Sequence, residues 1–201
     1  MGIDATRGRP RDPLVSGRII DAALVEYSRF GWSAFTMDGV ARKAGVGKAA
    51  LYRRWPDKAS LLLDALEARS AIISTISVTG DLLADLTSLG AALLEHFLDP
   101  YGWATLRAAV DAASDTPSVA GFHDRLVATH REAATDLFER YVVAGDLSSV
   151  VSADVMAEQF FGAVLMHVLA LPPEERARVR AASRHVAGPI VDLFLAGART
   201  R

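Results

Sequence analysis

The 201-residue chain has no cysteine. That absence excludes disulfides, a thiolate nucleophile and any zinc site built on cysteine. It also lacks a long hydrophobic run. The longest, Phe160 to Leu171, is twelve residues and carries His167, too short to span a bilayer. The opening stretch, Met1 to Pro13, holds three arginines and almost nothing apolar, which is not how a secretory signal reads. No segment alternates long enough to make a strand, and there is no internal repeat or low-complexity tract. A glycine-rich phosphate loop, a Gly-x-Ser-x-Gly elbow and a His-Glu-x-x-His pair are all missing, and the acids are scattered rather than paired. These absences argue against an enzyme and against a bound cofactor. The expectation is a soluble, cytoplasmic protein.

The composition is 51% hydrophobic and 23% charged, that of a globular chain long enough to bury a core without staples. The net charge of −2 hides an asymmetry. Residues 1–60 hold eleven Lys/Arg against six Asp/Glu, and residues 61–201 hold eleven against eighteen. A basic front on an acidic body suggests that the front meets a polyanion.

Helical periodicity dominates the chain. Residues 15–30 set Val15, Ile19, Ala22, Ala23, Tyr27 and Phe30 on one stripe and stop at Gly31, with Ser16 as a cap. Further helices are predicted over 57–74, 81–98 and 101–114, then from Thr116-Pro117 to Gly145, and from Ser152 to Leu171. Asp81 caps the second of these and Pro100 stops it. Pro173, Glu174 and Glu175 suit the first turn of a last helix, which Gly188-Pro189 is expected to kink or split before Ile190–Leu195. The fold class is all-α, with about nine helices.

Residues 36–55, TMDGVARKAGVGKAALYRRW, carry the chemistry. Thr36 is a good N-cap. Met37, Val40, Ala41 and Ala44 share one helix face, and Gly45 permits the left-handed conformation that ends it. Val46 plugs the angle of a turn, and a second short helix turns Leu51 and Trp55 inward. Gly39, inside the first helix, is expected to cost roughly 1 kcal/mol against alanine. Two short helices meeting at a glycine-containing turn make a helix-turn-helix. The second then offers Lys48, Ala49, Tyr52 and Arg53, and with them Arg54, to solvent. Small, aromatic and basic groups on one face suit major-groove reading and phosphate contact. Arg42 and Lys43 fit either backbone contact or a merely soluble face.

These residues resemble the TetR family of transcriptional regulators. The family pattern is met at Thr36, Ala44-Gly45-Val46, Leu51-Tyr52, Trp55-Pro56 and Lys58, with Ala22-Ala23 and Phe30-Gly31 upstream. The match is close over about residues 14–66 and only architectural beyond. It implies that Thr36 and Tyr52 contact phosphate, that Lys48, Ala49 and Arg53 approach base edges, and that Lys58 meets phosphate at the start of a helix. A cation at that helix end opposes the dipole, so an external anion would explain it. Gly47 stands where the family often has serine, so a hydroxyl contact is missing. Ahead of the motif, Arg7, Arg9 and Arg11 flank an Arg-Gly-Arg-Pro core that resembles the AT-hook, a minor-groove element.

The resemblance divides the chain into a flexible basic arm at 1–13, a DNA-binding domain at 14–60, and a ligand-binding and dimerisation domain at 61–201. Candidate pocket residues are Phe97, Trp103, Leu106, Phe122, Phe160 and Met166, with His96, His130 and His167 as polar groups. His123 and His130 lie two turns apart, too far to share a metal, so no metal is expected. For the dimer seam the candidates are Phe161, Val164, Leu165, Ile190, Leu193 and Phe194. The sequence thus points to a homodimeric regulator, foremost a repressor released from a palindromic double-stranded DNA operator by a small hydrophobic ligand. The alternatives are a ligand-free DNA-binding dimer answering to a protein partner, and an enzyme.

Overall fold

The computed structural model describes residues 13–69, 77–113 and 128–199. These form ten α-helices and a short 3-10 turn. In chain order they are α1 (Pro13–Ala34), α2 (Met37–Ala44), α3 (Lys48–Tyr52), α4 (Lys58–Arg69), α5 (Leu82–Phe97), α6 (Pro100–Ala113), α7 (Ala128–Ala144), α8 (Ala153–Ala170), α9 (Arg176–Ala181) and α10 (Ser183–Ala198). The arginine arm, Phe122, His123 and the Thr116-Pro117 start lie outside the described residues.

Two apolar cores organise the chain. The first gathers Ile19, Leu24 and Tyr27 of α1, Val40 and Ala44 of α2, Leu51 of α3 and Trp55, together with Leu61, Leu62, Ala65 and Leu66 of α4. Ala104 and Ala108 of α6 complete it, so α6 is built into the head although it follows α5 in the chain. The second core joins α5, α7, α8, α9 and α10 around Leu86, Leu89, Phe138, Phe160, Val164 and Val191. The α1–α6 contact ties the two together. Tyr27 Oη donates to Asp111 at 2.6 Å, and Arg107 donates to the Ser28 carbonyl at 3.3 Å. Burial, then the Asp111 hydrogen bond, push the Tyr27 hydroxyl far above its ordinary pKa, so it stays a donor.

Local signals set most helix ends. Asp81 accepts from the Ala84 amide at 3.0 Å and starts α5. Gly31 adopts φ 69°, ψ −178° and kinks α1, which runs on to Ala34 where the sequence predicts a stop. Pro189 departs from expectation. The last helix breaks at Ala182, and α10 runs unbroken through Gly188-Pro189. Both Pro189 and His185, whose carbonyl the proline leaves unbonded, lie on the exposed face, where water can serve that carbonyl. Pro100 likewise opens α6; α5 has already ended at Phe97. Ser152 sits at the N-cap of α8 without a side-chain cap bond.

Candidate nucleic-acid interface

The turn between α2 and α3 follows from its glycine. Gly45 adopts φ 66°, ψ 38°, a conformation costly to any residue with a Cβ. Its amide reaches the Arg42 carbonyl at 3.3 Å, and the next amide, Val46, reaches Ala41 at 3.0 Å. That pair of reversed bonds closes a helix of eight residues and swings the chain into α3. Val46 packs against the first core, and Leu51 and Trp55 anchor α3 beneath its outer face. The Trp55 indole donates to Asp64 at 2.8 Å, which fixes α3 against α4.

What this leaves uncovered is the outer face of α3. Lys48, Ala49, Tyr52 and Arg53 are all exposed, Tyr52 by 51%. Thr36 sits at the N-cap of α2, exposed, its hydroxyl accepting from the Gly39 amide at 3.1 Å. The structure therefore brings these five residues to one end of the head. Lys48 also donates to Asp38 at 2.5 Å, with both side chains more than half exposed. Ten residues separate Asp38 from Lys48 in the chain, and no local pattern marks the pair.

Three side chains differ from the sequence reading. Lys58 does not open onto solvent as a free cation. Its Nζ donates to the carbonyls of Trp32 at 2.8 Å and Phe35 at 3.1 Å, and lies 4.3 Å from the centre of the Trp32 ring. The anion that explains this lysine is thus supplied from within, as carbonyl dipoles at the end of α1. Arg54 is half-buried and donates to Ser16 Oγ at 2.6 Å, so it braces α3 on α1. Gly39 has a packing role: a Cβ there would lie 2.3 Å from Glu26 Oε1, so alanine would displace that carboxylate from the first turn of α2.

In the body, the expected pocket residues that the structure describes differ in exposure. Phe97, Trp103 and Leu106 are half-buried. Phe160 is closed inside the core, its ring 5.9 Å from Phe138 and 5.4 Å from Phe194. Met166 is 63% exposed on the outside of α8. The expected seam residues also divide. Val164 is fully buried within the protomer, so its periodic place on α8 serves the core. Phe161, Ile190 and Phe194 pack partly on the second core, and Leu165 is half-buried. Leu193 is 79% exposed, with Met166, Leu169 and Val155 of α8 also uncovered. α8 is long and apolar enough to cross a membrane by length and composition, at a mean hydropathy of 1.3, with 28% of its residues buried in the protomer. Among the described residues no cluster of His, Asp and Glu could hold a metal ion.

Known proteins share these sequence regions and this fold. Residues 19–65 match the family described as bacterial regulatory proteins, tetR family, and residues 76–186 match the Tetracyclin repressor-like, C-terminal domain. The chain is 30% identical over 162 residues to the HTH-type transcriptional regulator AqdR of Rhodococcus erythropolis, covering 81% of this chain and 78% of that one. It is 25% identical over 168 residues to the HTH-type transcriptional regulator YdeS of Bacillus subtilis, covering 83% and 84%. Its fold resembles the fatty acid degradation regulator FadR of Bacillus halodurans at a TM-score of 0.73 and 16% identity, over 96% of this chain and all of that one. The chain belongs to the TetR family. It is a DNA-binding transcriptional regulator and not an enzyme.

Proposed function

We propose that the protein acts as a homodimeric repressor that holds a palindromic operator and lets go when a small hydrophobic ligand enters its body. The observation that carries this reading is the uncovered face of α3. Lys48, Ala49 and Arg53 approach base edges, Thr36 and Tyr52 bind flanking phosphates, and Arg7, Arg9 and Arg11 of the arm enter the adjoining minor groove. Lys58 is here a brace that ties the start of α4 to the end of α1. The division of labour is an arm over 1–13, a reading head whose core runs through Leu66, and a body that senses and dimerises.

Dimerisation has a physical argument. A helix-turn-helix monomer meets few base pairs, and two-fold symmetry is the usual remedy. The exposed apolar side chains of α8 and α10, Leu193 and Met166 foremost, form the seam with Phe161, Leu165 and Ile190 at its base. Ligand contacts are assigned to Phe97, Trp103 and Leu106. Release follows from α6: its Ala104 and Ala108 sit in the head core while Trp103 packs on the second core. A ligand that moves α6 must rotate the head and change the spacing of the two recognition helices. The protein works in the cytoplasm, where its DNA lies.

The test is binding of the purified protein to the DNA around its own gene, titrated across salt, against a scrambled duplex. Tight, palindrome-dependent binding is expected. Weak binding, equal on both duplexes and lost with salt, would reduce the site to a basic patch.

A further inference from the structure

A second feature sits where head meets body. Ser28 of α1, Leu98 and Pro100 at the α5–α6 turn, Trp103 of α6 and Arg176 of α9 line an open cleft of about 540 Å³. That volume lies within the range of small-molecule sites. Three arginines stand on the short α9 at alternate positions, and two have acids. Arg178 pairs with Glu175 at 2.7 Å and Arg180 with Asp99 at 2.8 Å. Arg176 differs. No acid among the described residues pairs with it, its Nε is buried with no hydrogen-bond partner, and its guanidinium lies 4.8 Å from the centre of the Trp103 ring. A buried donor without a partner is rare and costly unless something else fills its place.

We propose that this cleft is a binding site for an aromatic monocarboxylate. The carboxylate takes the guanidinium fork of Arg176 in charge-assisted hydrogen bonds. The ring lies against Leu98, Pro100 and Trp103. Trp103 stacks on one face of the guanidinium and leaves its edge free for the anion. Ser28 places the same cleft against the head, beside the carbonyl that Arg107 holds. A ligand seated there touches both parts of the molecule and biases their relative angle. This consequence for DNA rests on the repressor reading above, whereas binding itself does not.

The two are separated by measuring binding without DNA. The probes are 1-naphthoate and its neutral amide, 1-naphthamide, followed by calorimetry and by the melting temperature of the full chain. Naphthoate is expected to bind and raise the melting temperature, with naphthamide weaker by about tenfold or more. R176Q should lose naphthoate by the same factor while keeping its operator affinity. W103L, which spares the guanidinium and removes the ring plane, is the check if R176Q fails to fold; it too should weaken naphthoate. Equal binding of acid and amide, naphthoate binding untouched by either variant, or no binding of naphthoate up to about 10 mM would overturn the proposal. Naphthoate binding with no change in operator affinity would leave the site standing and remove its link to DNA release.

Discussion

The outer face of α3 and the outer face of α8 are both left bare by the protomer, and they are bare in opposite ways. On α3 the uncovered side chains are Lys48, Tyr52 and Arg53 around a small Ala49. On α8, and on α10 beside it, they are Met166, Leu169, Val155 and Leu193. A face of cations and hydrogen-bond donors is at no disadvantage in water and gains by meeting a polyanion. A face of methyl and methylene groups gains by leaving water, which calls for another apolar surface. Each surplus names its own partner. The cores beneath differ as well. That of the head includes no carboxylate among its described buried residues, while that of the body encloses Asp85, 1% exposed.

The largest effect is expected where the apolar face is broken. Leu193→Glu puts a charge on the proposed seam without touching the protomer core. The chain should keep its helix content, sediment as a monomer and lose operator affinity by about 100-fold, since one half-site alone remains. A dimer of unchanged operator affinity would remove α10 from the seam.

Next comes the buried carboxylate. Asp85 accepts from the Thr79 amide at 3.0 and 2.9 Å, from the Thr79 hydroxyl at 2.7 Å, from the Gly80 amide at 3.2 Å, and from the Tyr141 hydroxyl. Burial pushes this carboxyl up. The bonds from Thr79, Tyr141 and Gly80 outweigh it and hold the carboxyl below its ordinary value of 3.8. A depressed folded-state pKa means that, below that ordinary value, the unfolded chain binds the proton first. The stabilisation is therefore full above it and is lost as pH falls through the folded value. Asp85→Asn turns an NH2 toward amide donors and should cost about 2 kcal/mol at neutral pH. The same substitution should flatten the acid limb of a stability profile measured by denaturant titration.

Smaller effects divide the cations of the head. Arg53→Ala should cost about tenfold in operator affinity and relax base preference at one position of each half-site. A loss that is equal on every sequence would make Arg53 a phosphate contact. Lys58→Met should act on stability instead, by about 1 kcal/mol, since two carbonyl bonds go while the stem still packs on Trp32. Its salt slope for DNA binding should stay as in the parent. A shallower slope would restore Lys58 to the phosphate contacts.

The helix-turn-helix was legible in the amino-acid order because everything that makes it is local. Thr36 caps an amide three residues on, Gly45 supplies the one backbone angle that needs no Cβ, and Leu51 and Trp55 repeat at a helical interval. The same holds for Asp81, Gly31 and the all-α character of the chain. Partnerships across the fold were not legible. Lys58 finds its carbonyls 26 and 23 positions away, and Ser183 donates to Glu95 from 88 positions away. Val164 and Met166, two residues apart in one apolar run, end with 0% and 63% exposure. Period alone says that such residues share or do not share a face; it cannot say which face meets a neighbour. Sequence determined the local conformations, since capping, left-handed glycines and turns act within a few bonds. Only the packing of the two cores decided which cations stay exposed on the head, which apolar groups are left for a partner, and that Arg176 alone on α9 lacks an acid.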